Sequence, residues 1–326
     1  MGFTKVRGQE RAVNLIKAGY KSARVSHAYL FYGPSGVGKS LTALVFAGLL
    51  NCTEPTREAE PCGLCSSCRK VLSGNHPDII RIEPEGNTIK IGQIRAIKEK
   101  ANYKCYEGKY KVIMIDDVHL LTEEAANSLL KTLEEPPRDT VFILITPNKS
   151  ALPATILSRC QPVPFSPLAE ETIKEILSES GYDVNFPLSL ARGSVGKALQ
   201  LMDKYDGEQL VRNISQMLED LASYSYQNIF AWAEAMEKDR DMLEISLDIM
   251  AMIYRDRMVA QAVHDESLLL GNGEYSYRVL SAEGCAEALK VIADSRRLIS
   301  GNVNVRLILE VLLIKLKNIE CLRKGD

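Results

Sequence analysis

Residues 27–40 read HAYLFYGPSGVGKS, an apolar run that passes directly into a glycine-rich turn. Ala28–Tyr32 has the length of a buried strand, and residues 41–50 after the turn have helical periodicity. Two further apolar runs, Lys111–Ile115 and residues 141–146, each end in polar residues. Strands that alternate with helices predict βαβ units and a parallel sheet. Such sheets bind ligands at the carboxyl ends of their strands.

The glycine-rich turn matches the phosphate-loop pattern G-x-x-x-x-G-K-[ST] without a mismatch. Glycines let backbone N–H groups approach phosphates, the lysine reaches the β- and γ-phosphates, and the final hydroxyl binds Mg²⁺. The loop follows a predicted strand and opens a predicted helix, whose positive dipole end favours anions. The alternative is a plain glycine-rich turn. We predict a nucleotide site formed by Gly33, Pro34, Ser35, Gly36, Val37, Gly38, Lys39 and Ser40.

Two aspartates follow the second apolar run, in VIMIDDVH. Asp116 is placed to support Mg²⁺ together with Ser40. Asp117 stands where many ATPases with this loop carry a glutamate that polarises the attacking water, and aspartate is one methylene shorter. A base misplaced by about 1 Å loses on the order of 10²-fold in rate. Asp117 is therefore a weak candidate base, and the alternative is that it only ends a strand.

Four cysteines are spaced C-x9-C-x2-C-x2-C within a loop-like segment. Paired x2 spacings let thiolates converge on one ion, and four sulfur ligands suit tetrahedral zinc. No open coordination position is evident, which favours a structural site. An iron–sulfur cluster and unliganded thiols are the alternatives. We predict structural zinc at Cys52, Cys62, Cys65 and Cys68.

The second half of the chain has mostly helical periodicity. Prolines at 162, 164 and 167 mark one junction, and Gly207 marks a second. The predicted fold class is α/β followed by all-α. We expect a nucleotide-binding domain over residues 1–166, a small helical domain over 167–205 and a longer helical domain over 206–326. The last helix is apolar on almost all sides, which indicates burial.

Composition excludes several classes of protein. Residues are 46% hydrophobic and 25% charged, as in a globular protein, and the net charge is −2. A protein that holds DNA alone through its phosphates is usually more basic, so any DNA contact is local or shared. No secretory signal or membrane span is recognisable. We expect a cytoplasmic protein with no membrane partner.

Several longer segments resemble bacterial clamp-loader subunits of the AAA+ superfamily. They are GQERAV at 8–13, the segment at 27–40, PCGLCSSC at 61–68, NSLLKTLEEPP at 127–137 and ATILSRC at 154–160. The resemblance covers residues 4–200, and the ending NVNVRLILEVLLIKL is similar to the family's collar helix. It implies an AAA+ domain, a helical lid and an oligomerisation collar.

Within this family the chain resembles the delta-prime branch more than the gamma/tau motor. IEPEGNTIKIGQIR at 82–95 is delta-prime-like, no long extension follows the collar, and Asp117 replaces the motor's glutamate. Gly196 stands where the motor places an arginine that contacts nucleotide. The resemblance implies ATP or ADP binding with magnesium and little or no hydrolysis. The alternatives are a gamma/tau-type motor ATPase and a stand-alone P-loop ATPase.

The resemblance also assigns roles in an assembly of DNA polymerase III. Asn148 would be the sensor of the γ-phosphate. Arg159 would be an arginine finger offered in trans to a neighbouring gamma/tau subunit, although surface arginines are usually structural. The implied partners are gamma/tau and delta subunits, the sliding clamp transiently, and primed DNA through the complex. No polymerase activity of this chain is expected.

Overall fold

A computed structural model describes residues 2–263, 268–269, 280–299 and 304–321. The chain divides into two compact units. One contains Met1–Ile176 and Gly193–Lys197, and the other contains Leu177–Arg192 and Ala198–Asp326. The division at residues 166 and 205 stays a prediction. No helix in the described ranges combines the length and apolarity needed to cross a bilayer.

The first unit is built on a five-stranded sheet in which every pairing is parallel. Its spatial order is β2-β3-β4-β1-β5. The strands are β1 Ala28–Tyr32, β2 Ile79–Ile82, β3 Lys111–Ile115, β4 Thr140–Thr146 and β5 Gln161–Pro164. The predicted parallel sheet and three of its strands are confirmed.

Helices fill the rest of the described chain, joined by short loops and 3-10 turns. They are α1 Glu10–Lys21, α2 Lys39–Asn51, α3 Ser66–Leu72, α4 Ile91–Asn102, α5 Glu123–Glu134, α6 Ala154–Leu157, α7 Glu170–Glu179, α8 Val195–Asp203, α9 Gly207–Asp220, α10 Tyr226–Glu237, α11 Arg240–Ala262, α12 Ala282–Ile299 and α13 Val305–Cys321. Every described residue after β5 is helical or irregular, so the predicted class, α/β followed by all-α, is confirmed.

The sheet separates two apolar layers, because successive side chains of a strand point to opposite faces. On one face, Tyr29 of β1 packs edge-on against Phe46 of α2, with ring centroids 5.1 Å apart. On the other face, Leu30 of β1 packs in a cluster with Ile94 of α4 and Leu129 of α5. Every residue of β3 and β4 is buried, which explains their continuous apolar sequences.

The second unit is helical and contains a buried ion pair. Arg257 of α11 donates to Glu320 of α13 over 2.7 Å, and the Tyr254 hydroxyl donates to the same carboxylate over 3.1 Å. Buried charges require such partners. The prediction that the last helix is buried holds for most of its apolar residues. The prediction is wrong for Leu307 and Val311, because both side chains are more than two-fifths exposed.

Candidate nucleotide site and cysteine cluster

The phosphate loop joins β1 to α2 at the carboxyl edge of the sheet. Gly36 and Gly38 have φ angles of +72° and +98°, a region that side chains with a Cβ rarely adopt. The buried Lys39 donates from Nζ to the carbonyl oxygens of Gly33 at 2.6 Å and Pro34 at 2.5 Å. Burial lowers the pKa of Lys39 to about 8, although the aspartates after β3 oppose this shift. The loop thus holds a buried cation beside its glycines.

Asp116 lies beside this loop and is buried at the end of β3. The Ser40 hydroxyl donates to Asp116 Oδ1 over 2.9 Å, and the backbone N–H of Asp116 donates to Ile82 of β2. A hydroxyl and a carboxylate held together are the protein ligands that Mg²⁺ uses beside bound phosphates. Ser40 and Asp116 therefore fit the ion that the loop pattern implies.

An arginine on β2 completes this cluster and was not predicted from the sequence. Arg81 donates from Nε to Asp116 Oδ2 over 2.7 Å, and its Nη2 lies 3.1 Å from Glu83 Oε1. The only signal in the sequence is a charged residue inside the apolar segment IIRI. The sequence does not reveal the partner of this arginine, because it is the pairing of β2 with β3 that places Arg81 beside Asp116.

Asp117 has a backbone conformation that is uncommon for residues other than glycine. Its φ is +47° and its ψ is +45°, and it precedes the 3-10 turn Val118–Leu120. Asparagine and aspartate are among the residues that tolerate this region. The Asp117 carboxylate is half exposed and lies 4.0 Å from His119 Nδ1. The position of this carboxylate therefore depends on the left-handed backbone as well as on a side chain that is shorter than glutamate.

A cavity of about 690 Å³ brings most of these groups together. It is lined by Ser35, Gly36, Gly38, Lys39, Ser40, Leu41, Arg81, Glu83, Pro84, Gly86, Asp116, Asp117, Leu120 and Ile145. The loop and both aspartates thus share one pocket. Asn148 and Arg159 are not among the lining residues.

Asn148 is exposed after β4 and caps the following 3-10 turn. Its Oδ1 accepts from the backbone N–H of Ser150 over 2.9 Å, and its own N–H donates to Thr146 Oγ1. This capping role is sufficient to explain an asparagine here. The role of Asn148 as a sensor stays a prediction.

Arg159 lies just after α6 and is held by α5. Its Nη2 is 2.7 Å from Glu134 Oε1, and its Nη1 donates to the Thr155 carbonyl over 3.0 Å. About a third of the side chain is exposed. Glu134 belongs to the segment LLKTLEEPP, so two of the motifs that carried the family resemblance meet at this arginine.

The segment around Gly196 packs directly on the phosphate loop. The Gly196 N–H donates to the Gly36 carbonyl over 3.2 Å, and a Cβ on Gly196 would lie 3.0 Å from the Gly36 Cα. The Gly36 position is more crowded still, since a Cβ there would lie 2.3 Å from Ser194 Oγ. Glycine at 196 therefore permits a close backbone contact that a Cβ would crowd.

The four predicted cysteine ligands converge at one point. Their sulfur atoms all lie within 4.8 Å of one another, and those of Cys62 and Cys68 are 4.0 Å apart. Tetrahedral zinc with bonds of about 2.3 Å places its sulfurs about 3.8 Å apart. The donor set and its spacing therefore fit a metal ion.

Backbone N–H groups surround these sulfurs. Cys62 donates to the Cys52 sulfur over 3.3 Å, Cys65 to that of Cys62 over 3.3 Å, and Cys68 to that of Cys65 over 3.4 Å. Burial opposes ionisation of Cys65, but donors including the Cys68 N–H outweigh it and lower its pKa to about 6. These donors favour the metal-binding thiolate form at Cys65, whereas burial raises the pKa of the Cys52 and Cys68 thiols.

Known proteins resemble this chain over the first unit and, in some cases, over nearly its whole length. A family described as DNA polymerase III, delta subunit, matches residues 8–169. The DNA polymerase III subunit delta' of Bacillus subtilis is 31% identical over 318 residues, which covers 95% of this chain and 96% of that protein. The DNA polymerase III subunit tau of Escherichia coli is 38% identical over 233 residues, covering 67% of this chain but only 36% of tau.

Among solved structures, a DNA polymerase III gamma subunit-related protein from Thermotoga maritima aligns with 95% of this chain at 20% identity and a TM-score of 0.49. The sequence relationship to delta' extends across the sheet domain and the helical second unit, with nearly equal chain lengths. The relationship to tau covers 67% of this chain and 36% of tau. The chain therefore belongs to the family of DNA polymerase III delta-prime subunits.

Proposed function

We propose that this chain is the delta-prime subunit of a bacterial replicative clamp loader and that it binds ATP or ADP with magnesium at the phosphate loop. The observation that carries the nucleotide site is the pocket that joins Lys39, Ser40 and Asp116. Lys39 would contact the phosphates, and Ser40 and Asp116 would bind the metal that accompanies them. The relatives that support the assembly are subunits of DNA polymerase III.

Hydrolysis by this chain itself is proposed to be weak or absent. Asp117 is shorter than glutamate and lies in a left-handed turn, so a water-polarising carboxylate is displaced. Gly196 brings no side chain to the pocket, where a motor subunit would bring an arginine. The chain then acts as a stator, which helps ATP-driven opening of the sliding clamp and its loading onto primed DNA without turning over nucleotide quickly.

The reaction that the chain serves is proposed to occur in its neighbour. Arg159 is partly exposed and absent from the lining of the chain's own pocket, which suits a guanidinium offered to another subunit. A finger of this kind stabilises charge that develops on the transferred phosphoryl group. The partners would be gamma/tau and delta, with the clamp and DNA contacted through the assembly.

The helical second unit is proposed to be the oligomerisation collar. Its α12 and α13 line a groove of about 420 Å³, in which Leu298, Leu307 and Val311 are exposed apolar residues. Exposed apolar patches of this kind mark protein interfaces. The cysteine cluster is proposed to hold structural zinc.

The similarity to tau favours a second candidate, a motor ATPase. The identity to tau is 38% over 233 residues, whereas the identity to delta' is 31% over 318 residues. The two candidates differ in turnover and agree in nucleotide binding. The distinguishing quantity is therefore the ATPase rate of the isolated chain beside a gamma/tau subunit.

Filter binding of labelled ATP and ADP tests the nucleotide site. We expect measurable affinity that falls by at least about tenfold in Lys39→Ala, because the ammonium contacts the phosphates. Lys104→Ala, an exposed lysine outside the pocket, is the matched control and should change nothing. Absence of any nucleotide affinity would refute the site. A turnover rate equal to that of gamma/tau would refute the stator and favour the motor.

A further inference from the structure

We infer that Arg81 is a built-in cation of the nucleotide site, which occupies the magnesium-supporting carboxylate and makes nucleotide binding only weakly dependent on Mg²⁺. The inference rests on the proposed nucleotide site and adds a regulatory property to it. It concerns a positioning residue, because Arg81 acts on Asp116. Its basis is the geometry of two neighbouring strands.

The register of the sheet places the arginine beside the aspartate. Arg81 of β2 is directly opposite Met114 of β3, and Asp116 is two residues further along. Residues two apart on a strand point to the same face, so a long side chain on β2 reaches the carboxylate diagonally. The Nε–Oδ2 distance of 2.7 Å is that of a charge-assisted hydrogen bond.

Both oxygens of the Asp116 carboxylate are consequently engaged. Oδ1 accepts from the Ser40 hydroxyl and Oδ2 accepts from Arg81. The Asp116 side chain is 10% exposed whereas the Arg81 side chain is 53% exposed, so the pair is only partly shielded from water. A metal that approaches this carboxylate must therefore compete with a fixed positive charge that already neutralises it.

The arginine also faces the space where phosphates would lie. Arg81 lines the same cavity as Gly36, Lys39 and Ser40, and Glu83 at 3.1 Å holds its outer nitrogen. Two cations, Lys39 at the start of α2 and Arg81 on β2, therefore border the pocket. A polyphosphate entering it can contact a guanidinium as well as an ammonium without a divalent ion, since guanidinium groups bind phosphate well.

A competing explanation is that Arg81 merely ties the edge strand β2 to β3. That role would affect the stability of the fold and would leave the metal dependence of nucleotide binding unchanged. The ratio of affinities with and without Mg²⁺ therefore separates the two explanations. This ratio is measured on binding and needs no catalytic turnover.

The experiment measures ADP affinity by calorimetry in excess Mg²⁺ and in excess EDTA. We expect the unaltered protein to lose less than about threefold in affinity without Mg²⁺, and Arg81→Gln to lose about tenfold or more, since its carboxylate is open to the ion. Arg81→Lys keeps the charge without the planar fork and should lie between them. Arg95→Gln, an exposed arginine outside the pocket, should behave as the unaltered protein.

The inference is overturned if removal of Mg²⁺ changes ADP affinity by the same factor in the unaltered protein and in Arg81→Gln, whether that factor is large or small. The nucleotide site then still stands, because ADP binds. If no variant binds ADP in either buffer, the proposed site and the inference fall together. Arg81→Lys retains the hydrogen-bonding cation and guards against a result that comes only from an unstable edge strand.

Discussion

Glycine is favoured at three positions around the phosphate loop, and the physical reason differs between them. Gly36 combines a φ of +72° with close neighbours, Gly38 combines a φ of +98° with open space, and Gly196 has close neighbours only. Backbone strain and steric contact can therefore be separated by one substitution at each position. A left-handed backbone costs a residue with a Cβ roughly 1–2 kcal/mol.

Alanine at these three positions should destabilise the first unit to different degrees. We expect Gly36→Ala to lower the free energy of unfolding most, by about 2–4 kcal/mol, because strain and contact act together. Gly38→Ala reports strain alone, at about 1–2 kcal/mol. Gly196→Ala reports the contact with Gly36 alone. Urea unfolding of the nucleotide-free protein measures all three, and an equal loss at Gly36 and Gly38 would contradict the packing described here.

The same contact bears on the prediction that Gly196 stands where a motor subunit has an arginine. A larger side chain at this position would meet the Gly36 Cα before it reached the pocket. The difference between this chain and a motor subunit therefore extends to the backbone of the loop. Substituting arginine at 196 alone is not expected to create a motor.

Residues of the site that the sequence predicted belong to motifs contiguous in the chain. The phosphate loop, Asp116 and the four cysteines each follow a local sequence pattern that favours one chemistry over its alternatives. Arg81 was missed because its partner lies 35 positions away and is specified by strand register. The backbone turn at Asp117 was missed because aspartate is compatible with ordinary and left-handed conformations alike.

At the scale of elements, the two edge strands were not predicted. β5 contains Pro162 and Pro164, which read as a junction because proline lacks an N–H. In the described sheet β5 is an edge strand, paired with β1. Phe165 follows β5 and alternates with the two prolines, and its N–H donates to the Tyr32 carbonyl. Prolines that alternate along an edge strand leave its paired side intact. β2 has only four residues and includes a charge, so its periodicity carried little signal.

The cysteine segment is a second element, and its stability should depend on a bound metal more than on the apolar core. Its helix α3 has seven residues, too few to be stable alone, and its N-cap is the sulfur of Cys65. Glu60, between Cys52 and Cys62, ties the segment to α1 through an ion pair of 2.5 Å with Lys17. We therefore expect the metal to organise this segment and the sheet to persist without it.

Elemental analysis and chelation test this expectation. The purified protein should contain about one zinc per chain, and Cys62→Ser should lose it, because three ligands hold zinc less tightly than four. Cys105→Ser, at a cysteine outside the cluster, should retain it. After chelation, hydrogen exchange should quicken in residues 52–72 while ADP affinity stays within about twofold. Iron in place of zinc, or a metal-free protein with an ordered segment, would contradict the assignment.

At the scale of the whole molecule, the proposed function separates the site that binds nucleotide from the residue that assists hydrolysis. Arg159 is anchored by Glu134 and by the Thr155 carbonyl, so its guanidinium is oriented before any partner arrives. An arginine fixed in this way loses less side-chain entropy on meeting a phosphate than a free one. Glu134 should therefore matter for the neighbour's activity, although it is an acidic residue that would not contact nucleotide.

Reconstitution of the loader with variants of this chain tests the finger. Arg159→Ala should slow hydrolysis at the adjoining gamma/tau site by about 10³-fold, so that clamp-dependent ATPase loses that site's share. Glu134→Gln should give a smaller loss in the same direction, because the guanidinium keeps its charge but loses its anchor. Arg138→Ala, an exposed arginine near the same helix, is the control. The nucleotide affinity of this chain should be unchanged throughout. Full ATPase in an intact loader that carries Arg159→Ala would reject the trans role and leave Arg159 as a structural partner of Glu134.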